Sequence, residues 1–279
     1  MRWKNFGKAT TEEGHKVFFK GKEDKHEHGI GFLVHKDIVN TVMGCCPVSS
    51  RFITIRLKAV PFNITTVQVN AQTSDNDDNK IEEFYDQLQN IIDQTPKDIL
   101  VVQGDWNAKV GKDACENWQG ICGPFSNDNT NGRGLRLLEF ATFNDLVFAN
   151  TFGHQRASRR CTLHSPNGQH HNQIDYILVR KCFQSGVKSA RTQSFPGADI
   201  ESDHSLLMMT FRLHLKRISK PKQTRLKFDL KKLRRANVLE TFHAVIGGKV
   251  APLTIMNNDD TDLDSMITTF NTAVTETAS

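Results

Sequence analysis

Apolar and polar residues alternate along Arg51-Phe52-Ile53-Thr54-Ile55-Arg56-Leu57 and again along Phe62-Asn63-Ile64-Thr65-Thr66-Val67-Gln68-Val69. Successive side chains of a strand point to opposite faces, so each stretch predicts a strand with one solvated face, the second rich in β-branched residues. Lys58 to Pro61 is short enough to join them as a hairpin. The period then changes. Ile81, Phe84, Tyr85, Leu88, Ile91 and Ile92 recur at helical spacing over about 79–94, and Pro96 closes that helix. Ile99-Leu100-Val101-Val102 is continuously apolar, as a strand buried on both faces is, and Gly104 lets the chain turn just past it. Leu135, Leu138 and Phe143 predict a second amphipathic helix over about 131–144. Val147-Phe148-Ala149, 174–179 and 206–213 follow as strands, as do Val17-Phe18-Phe19 and 29–34 before them. Segment 36–42 reads as a polar turn or edge, and 111–133 and 191–201 as loops. A hairpin, a helix and then a buried strand predict sheets with helices on their outer faces.

The first 28 residues fit poorly as the opening of such a domain, because Trp3 and Phe6 precede the first strand with nothing to pack against. An opening strand-and-helix unit is therefore expected to be missing. Beyond Leu215 the pattern thins: Leu226, Phe228 and Leu230 alternate, Leu239, Phe242 and Val245 hint at a helix, and Met266 to Val274 suggests another. These pieces carry too few apolar residues for a core of their own. The chain is read as a domain over 1–215 and a basic linker with a partial connection over 216–279.

Composition narrows the class. With 38% hydrophobic and 24% charged residues in 279, the chain has the make-up of a globular protein, and no apolar run reaches the length of a membrane span. The N-terminal residues lead into no apolar signal segment, so an intracellular protein is expected. Cys45, Cys46, Cys115, Cys122, Cys161 and Cys182 fall at no zinc-binding spacing and read as free thiols. The net charge is only +5, yet 212–235 holds eleven Lys or Arg and a single acid, Asp229. Such a basic side favours a polyanionic partner.

Three strand ends carry polar groups of matching kind: Gly104-Asp105-Trp106-Asn107, Gln173-Ile174-Asp175-Tyr176 and Ser202-Asp203-His204-Ser205. One acid at a strand end is ordinary turn chemistry, and each of these residues has a bland reading as a cap, a partly buried ring or the partner of a nearby Arg. Three together suit phosphodiester hydrolysis, which needs a hard cation, an aimed water, a base and a fixed substrate. Asp203 is a candidate Mg²⁺ ligand, Asp105 a candidate base for the water, and Asn107 an uncharged holder of phosphate or water. His204 would donate to a phosphate oxygen, with Asp175 fixing its tautomer and raising its pKa. Phosphate contacts are expected from Arg133 at a helix start and from Arg156, Arg159 and Arg160. No GxxxxGK[ST], GxGxxG or HExxH occurs.

These blocks resemble those of the endonuclease/exonuclease/phosphatase superfamily. Pro47 to Arg51, Asp98 to Asp113, Asn131 to Phe140 and Phe195 to Asp199 narrow the resemblance to the endonucleases of non-long-terminal-repeat retrotransposons, the group from which craniofacial development protein 2-like sequences derive. The resemblance implies a DNase I-like four-layer α/β sandwich of two mixed β-sheets with outer helices. It also implies a nicking enzyme using Mg²⁺ (Mn²⁺ as a substitute), with Asp105, Asn107, Asp175 and His204 as catalytic residues and Asp203 with Asp105 at the metal. The implied partner is DNA, the implied state a monomer working in the nucleus, and the implied ancestry a fusion to a reverse-transcriptase domain.

Three departures stand out. In such relatives an Asn and a metal-binding Glu end the first two strands, and both fall outside this chain. Asn70 stands where a tyrosine is usual, and Glu201 adds negative charge beside the site. The leading expectation is thus a DNA endonuclease-type domain with an incomplete, weakened or inactive site. The alternatives are a non-catalytic nucleic-acid-binding remnant and a phosphomonoesterase of the same superfamily.

Overall fold

The computed structural model describes residues 3–23, 29–73, 78–126, 129–165, 171–193, 202–213, 231–255 and 263–278. The Phe195–Asp199 block, Glu201 and the alternating Leu226, Phe228 and Leu230 lie outside these residues. The chain divides into two compact units, 1–215 and 216–279.

In the first unit three N-terminal strands, β1 (Phe6–Thr10), β2 (Lys16–Lys20) and β3 (Ile30–Val34), form an antiparallel sheet in that order. A 3-10 turn over Lys36–Thr41 leads into β4 (Val42–Ser49), β5 (Phe52–Leu57) and β6 (Ile64–Asn70), with β5 and β6 paired as the expected hairpin. Helix α1 (Asp78–Asp93) then crosses to β7 (Ile99–Asp105), which runs parallel to β6. The short α2 (Ala114–Asn117), α3 (Gly132–Phe143), β8 (Leu146–Phe148) and α4 (Ala149–Phe152) follow. The two-residue strands β9 (Leu163–His164) and β10 (His171–Asn172) pair with each other, β11 (Asp175–Arg180) returns to the main sheet, and β12 (Val187–Gln193) pairs with β13 (Leu206–Phe211). The main sheet has six strands in the order β4-β5-β6-β7-β11-β8, mixed because β6 and β7 are parallel and every other pair is antiparallel.

Strand alternation divides the core between the two faces of this sheet. Phe52, Val67, Leu100, Val102, Tyr176 and Leu178 pack with Phe84 and Leu88 of α1 and Leu137, Leu138 and Phe140 of α3. On the other face, Ile53 and Ile55 meet Phe18, Ile30 and Val34 of the N-terminal sheet. Val101, Ile177 and Val179 meet Ala190 of β12 and, less buried, Leu207, Met209 and Phe211 of β13. The layer opposite the helices therefore consists of two separate antiparallel pieces. Between their footprints the main sheet shows polar positions: Gln68 and Gln103, half-buried neighbours in register, are joined by a 3.1 Å hydrogen bond. Among the strands longer than two residues, β1, β4 and β12 had no sequence signal, and 191–193, read from the sequence as part of a loop, form the end of β12.

The second unit contains two described helices, α5 (Ala236–Ile255) and α6 (Leu263–Ala278), joined by an ion pair from Lys249 to Glu276 at 2.9 Å. No helix among the described residues is long and apolar enough to cross a membrane.

Candidate active site

The strand β7 is buried through Val102 and then delivers its polar end by a turn that only glycine permits. Gly104 has φ of 145°, and a β-carbon there would run into the Val69 carbonyl oxygen on β6. Asn107, in the left-handed region at φ 48°, completes the turn, a conformation asparagine tolerates better than most residues. Its backbone N–H donates to Asp105 Oδ1 at 3.0 Å, and its Nδ2 donates to the Ala71 carbonyl at 3.0 Å. Trp106, almost wholly buried, donates from Nε1 to the Tyr176 carbonyl at 3.1 Å. The turn is thereby tied to the strands on both of its sides.

Register aligns the acids. Asn70 pairs with Asp105 across β6 and β7, and Asp105 pairs with Asp175 across β7 and β11. Cross-strand partners face the same side, so Asn70, Asp105 and Asp175 form a row across three adjacent strand ends, each about 5 Å from the next. The third segment is attached by Thr162, which is fully buried. Its hydroxyl accepts from Ile174 N at 3.0 Å and Asp175 N at 3.1 Å, while its carbonyl accepts from Ser205 N at 2.7 Å. The Asp203 carbonyl accepts from His164 N at 2.8 Å. His204 consequently reaches Asp175, with Nδ1 3.0 Å from Oδ2.

These contacts set the charges. The hydrogen bond to Asp175, opposed by burial, pushes the His204 imidazole up to about 9, so the ring is protonated at neutral pH. Burial, reinforced by the negative charge of Asp175, pushes the Asp105 carboxyl up to about 6. Arg51, set just before β5, donates from Nη1 to the carbonyls of Asn70 and Ala71, both at 3.0 Å. Burial pulls its guanidinium down, and Asp105 pulls it back up.

Of the residues picked out in the sequence, Asp105, Asn107, Asp175 and His204 come together, and Asn70 joins their row. Asp203 is exposed beside His204. The arginines diverge. Arg133 is ion-paired with Asp78 at 3.2 Å, and Arg160 turns inward, donating from Nε to the Gln155 carbonyl at 2.8 Å and from Nη1 to the Ser126 carbonyl at 3.3 Å. Arg156 and Arg159 are exposed. Arg51, Thr162 and Asn150 escaped sequence reasoning. Asn150 is 3% exposed and brackets Asp175, donating from Nδ2 to its carbonyl and accepting from Ile177 N, each at 3.2 Å. Its one local cue is a polar residue directly after an apolar strand.

Among the described residues no group of three or more His, Cys, Asp or Glu forms a cluster able to hold a metal ion. The donor chemistry nevertheless fits a hard cation, which asks for one or two carboxylates and keeps several waters. Asp105, whose ionised form is disfavoured by burial and by Asp175, would gain from a positive charge beside it.

A mixed sheet with helices on one face, and an acid row joined to a histidine at the ends of its central strands, define the DNase I-like α/β fold. No protein-family profile matches the chain. It is 37% identical over 267 residues to craniofacial development protein 2 of Bos taurus, covering 89% of this chain and 44% of that protein. It is 39% identical over 226 residues to craniofacial development protein 2 of Tragulus javanicus, covering 81% and 38%. The chain thus spans less than half the length of these relatives. Among solved structures, the endonuclease domain of TRAS1, a telomere-specific non-LTR retrotransposon, superposes with a TM-score of 0.51 at 16% identity, covering 72% of this chain and 81% of that one. The 3′-5′ exonuclease NExo from Neisseria meningitidis gives 0.51 at 16%, covering 71% and 79%. The chain is thus related in sequence to the craniofacial development protein 2 proteins and shares the fold of the endonuclease/exonuclease/phosphatase proteins.

Proposed function

We propose that the chain is an endonuclease-type phosphodiesterase acting on DNA, of the kind that nicks targets for a retroelement. The observation that carries this reading is the linkage of Asp105, Asp175 and His204 at neighbouring strand ends, with His204 Nδ1 bonded to Asp175 at 3.0 Å and Asp105 in register with Asp175. A carboxyl held near neutrality is suited to take a proton from water at physiological pH, which is the part assigned to Asp105. With Nδ1 committed to Asp175, His204 offers Nε2–H to a non-bridging phosphate oxygen, where negative charge grows. Asp175 positions the ring and keeps it charged. Asn107 fixes the Asp105 carboxylate through its backbone N–H and presents its amide beside it. Asp105 and Asp203 would hold a divalent cation, Mg²⁺ by donor type, which when bound neutralises phosphate charge.

A second reading, a nucleic-acid-binding remnant without turnover, is favoured by one observation: the run of eleven Lys or Arg against a single acid over 212–235. The two part in one assay. Supercoiled plasmid with Mg²⁺ should be nicked by the chain, and Asp203→Ala and His204→Ala should each slow nicking by about 10²–10³-fold. Equal background from all three, with binding that weakens steeply in salt, would leave the remnant standing. The wider reading adds a monomer acting in the nucleus and descent from a protein that carried a reverse transcriptase.

A further inference from the structure

A recess of about 440 Å³ lies beside the segment that carries His204, lined by Ser158, Arg159, His164, Arg191 and Ser205 among others. Ser158 and Arg159 belong to a short 3-10 turn, His164 to β9, Arg191 to β12, and Ser205 precedes β13. Its wall is fixed to the active-site segment: His164 Nε2 lies 2.8 Å from Ser205 Oγ, and His164 N donates to the Asp203 carbonyl. His164 is held in turn by His171, Nδ1 to Nδ1 at 2.9 Å.

The charge of this recess is unusual for the molecule. Among the described residues, two guanidiniums line it and no carboxylate does. The comparison is the recess between α1 and α3, which also has two arginines but matches them with acids, Arg133 with Asp78 and Arg136 with Glu82 at 2.7 Å. Two arginines with the Ser158 and Ser205 hydroxyls, and no matching acid among the described residues, suit a tetrahedral dianion or monoanion with several acceptor oxygens, which is phosphate chemistry. Neighbouring side chains on an extended segment point to opposite sides, so His204 and Ser205 address two places one residue apart.

Building on the endonuclease reading, we propose that this recess holds a second phosphate of the substrate strand, next to the phosphate at His204. The site then grips two consecutive backbone phosphates, and the strand must continue past the cut to bind well. An internal phosphodiester is the occupant, because a strand running through the groove supplies one at every step.

The test uses the full chain and oligonucleotides carrying one uncharged methylphosphonate linkage, placed at each position around the scissile bond. Binding is read by fluorescence anisotropy in EDTA, and cleavage separately in Mg²⁺. One neutral linkage beside the scissile bond should weaken binding by about five- to tenfold. Arg191→Gln should lose a similar factor on native DNA, become indifferent to that linkage, and show a salt slope shallower by about 0.7–0.9. Ser205→Ala, a smaller change, should lose part of the same discrimination, and Arg136→Gln, which removes a paired charge, should keep it. Binding that ignores the position of the neutral linkage overturns the proposal while leaving the endonuclease reading intact. A requirement for a strand-terminal phosphate alone also overturns it, in favour of an end-processing site. No DNA binding at all overturns both.

Discussion

Asp105 sits where its charge is disfavoured, and that can be measured without any substrate. Its carboxyl is pushed up to about 6 in the folded chain, above the unfolded value near 4, so folding binds a proton in that interval. The stability linked to Asp105 is fully present below pH 4 and is lost as pH rises through 6. At pH 7.5 the ionised group costs about 1–2 kcal/mol once solvent screening is allowed for. Asp105→Asn should therefore be more stable than the parent by that amount in urea at pH 7.5 with EDTA, equal to it near pH 4, and unable to nick. Equal stability at both pH values would mean that the folded chain does not hold the Asp105 carboxyl above its ordinary range. His204 runs the same way for a basic group: its folded value of about 9 lies above the unfolded 6.5, so its contribution is full below 6.5 and disappears as pH rises through 9. Asp175→Asn removes the hydrogen bond that lifts it, and the ring resonances of His204 should then titrate with a midpoint well below 9, toward 6.5. A midpoint that stays near 9 would mean that Asp175 is not what charges the ring.

The turn after β7 makes a sharper demand than either acid. Gly104→Ala places a β-carbon against the Val69 carbonyl in a backbone conformation alanine avoids, and should cost on the order of 2–4 kcal/mol in urea unfolding. Gly132→Ala, at the first position of α3 with open space around it, should be neutral or stabilising by up to about 1 kcal/mol. The same contrast explains what could be read from the sequence. Elements with a strict period are buried on one or both faces and announce themselves: β5, β6, β7, β11, α1 and α3 fall within a few residues of where the pattern put them. β4 contains Gly44 and Pro47 and buries none of its side chains, and β12 buries only Ala190 and Thr192. Such strands owe their state to a partner's edge, which no local pattern records. The site divides likewise. Asp105, Asp175 and His204 were legible because acids and a histidine at strand ends are chemically conspicuous. Thr162, Asn150 and Arg51 were not, because their part consists of hydrogen bonds to backbone groups distant in sequence.

The charge of the chain is distributed unequally between its two units. Residues 216–279 hold eleven Lys or Arg against seven Asp or Glu, which accounts for four of the five net positive charges. The three hydrophobic clusters are drawn wholly from the first unit, whereas Ala273 is the one buried hydrophobic residue described in the second. Leu239, Val245, Ile267 and Phe270 on α5 and α6 are each more than a third exposed. Core and charge are thus separated along the chain, and a chain ending at 215 should show it. Its thermal midpoint should lie within about 2 °C of the full chain's, because no cluster loses a member. Its affinity for DNA should fall and depend less steeply on salt, since the ten basic residues between 216 and 235 go with the segment. Nicking at saturating DNA should persist, because every group placed around Asp105 and His204 remains. A large drop in the midpoint would mean that 216–279 completes the fold, and an unchanged salt slope would mean that its basic run does not touch the nucleic acid.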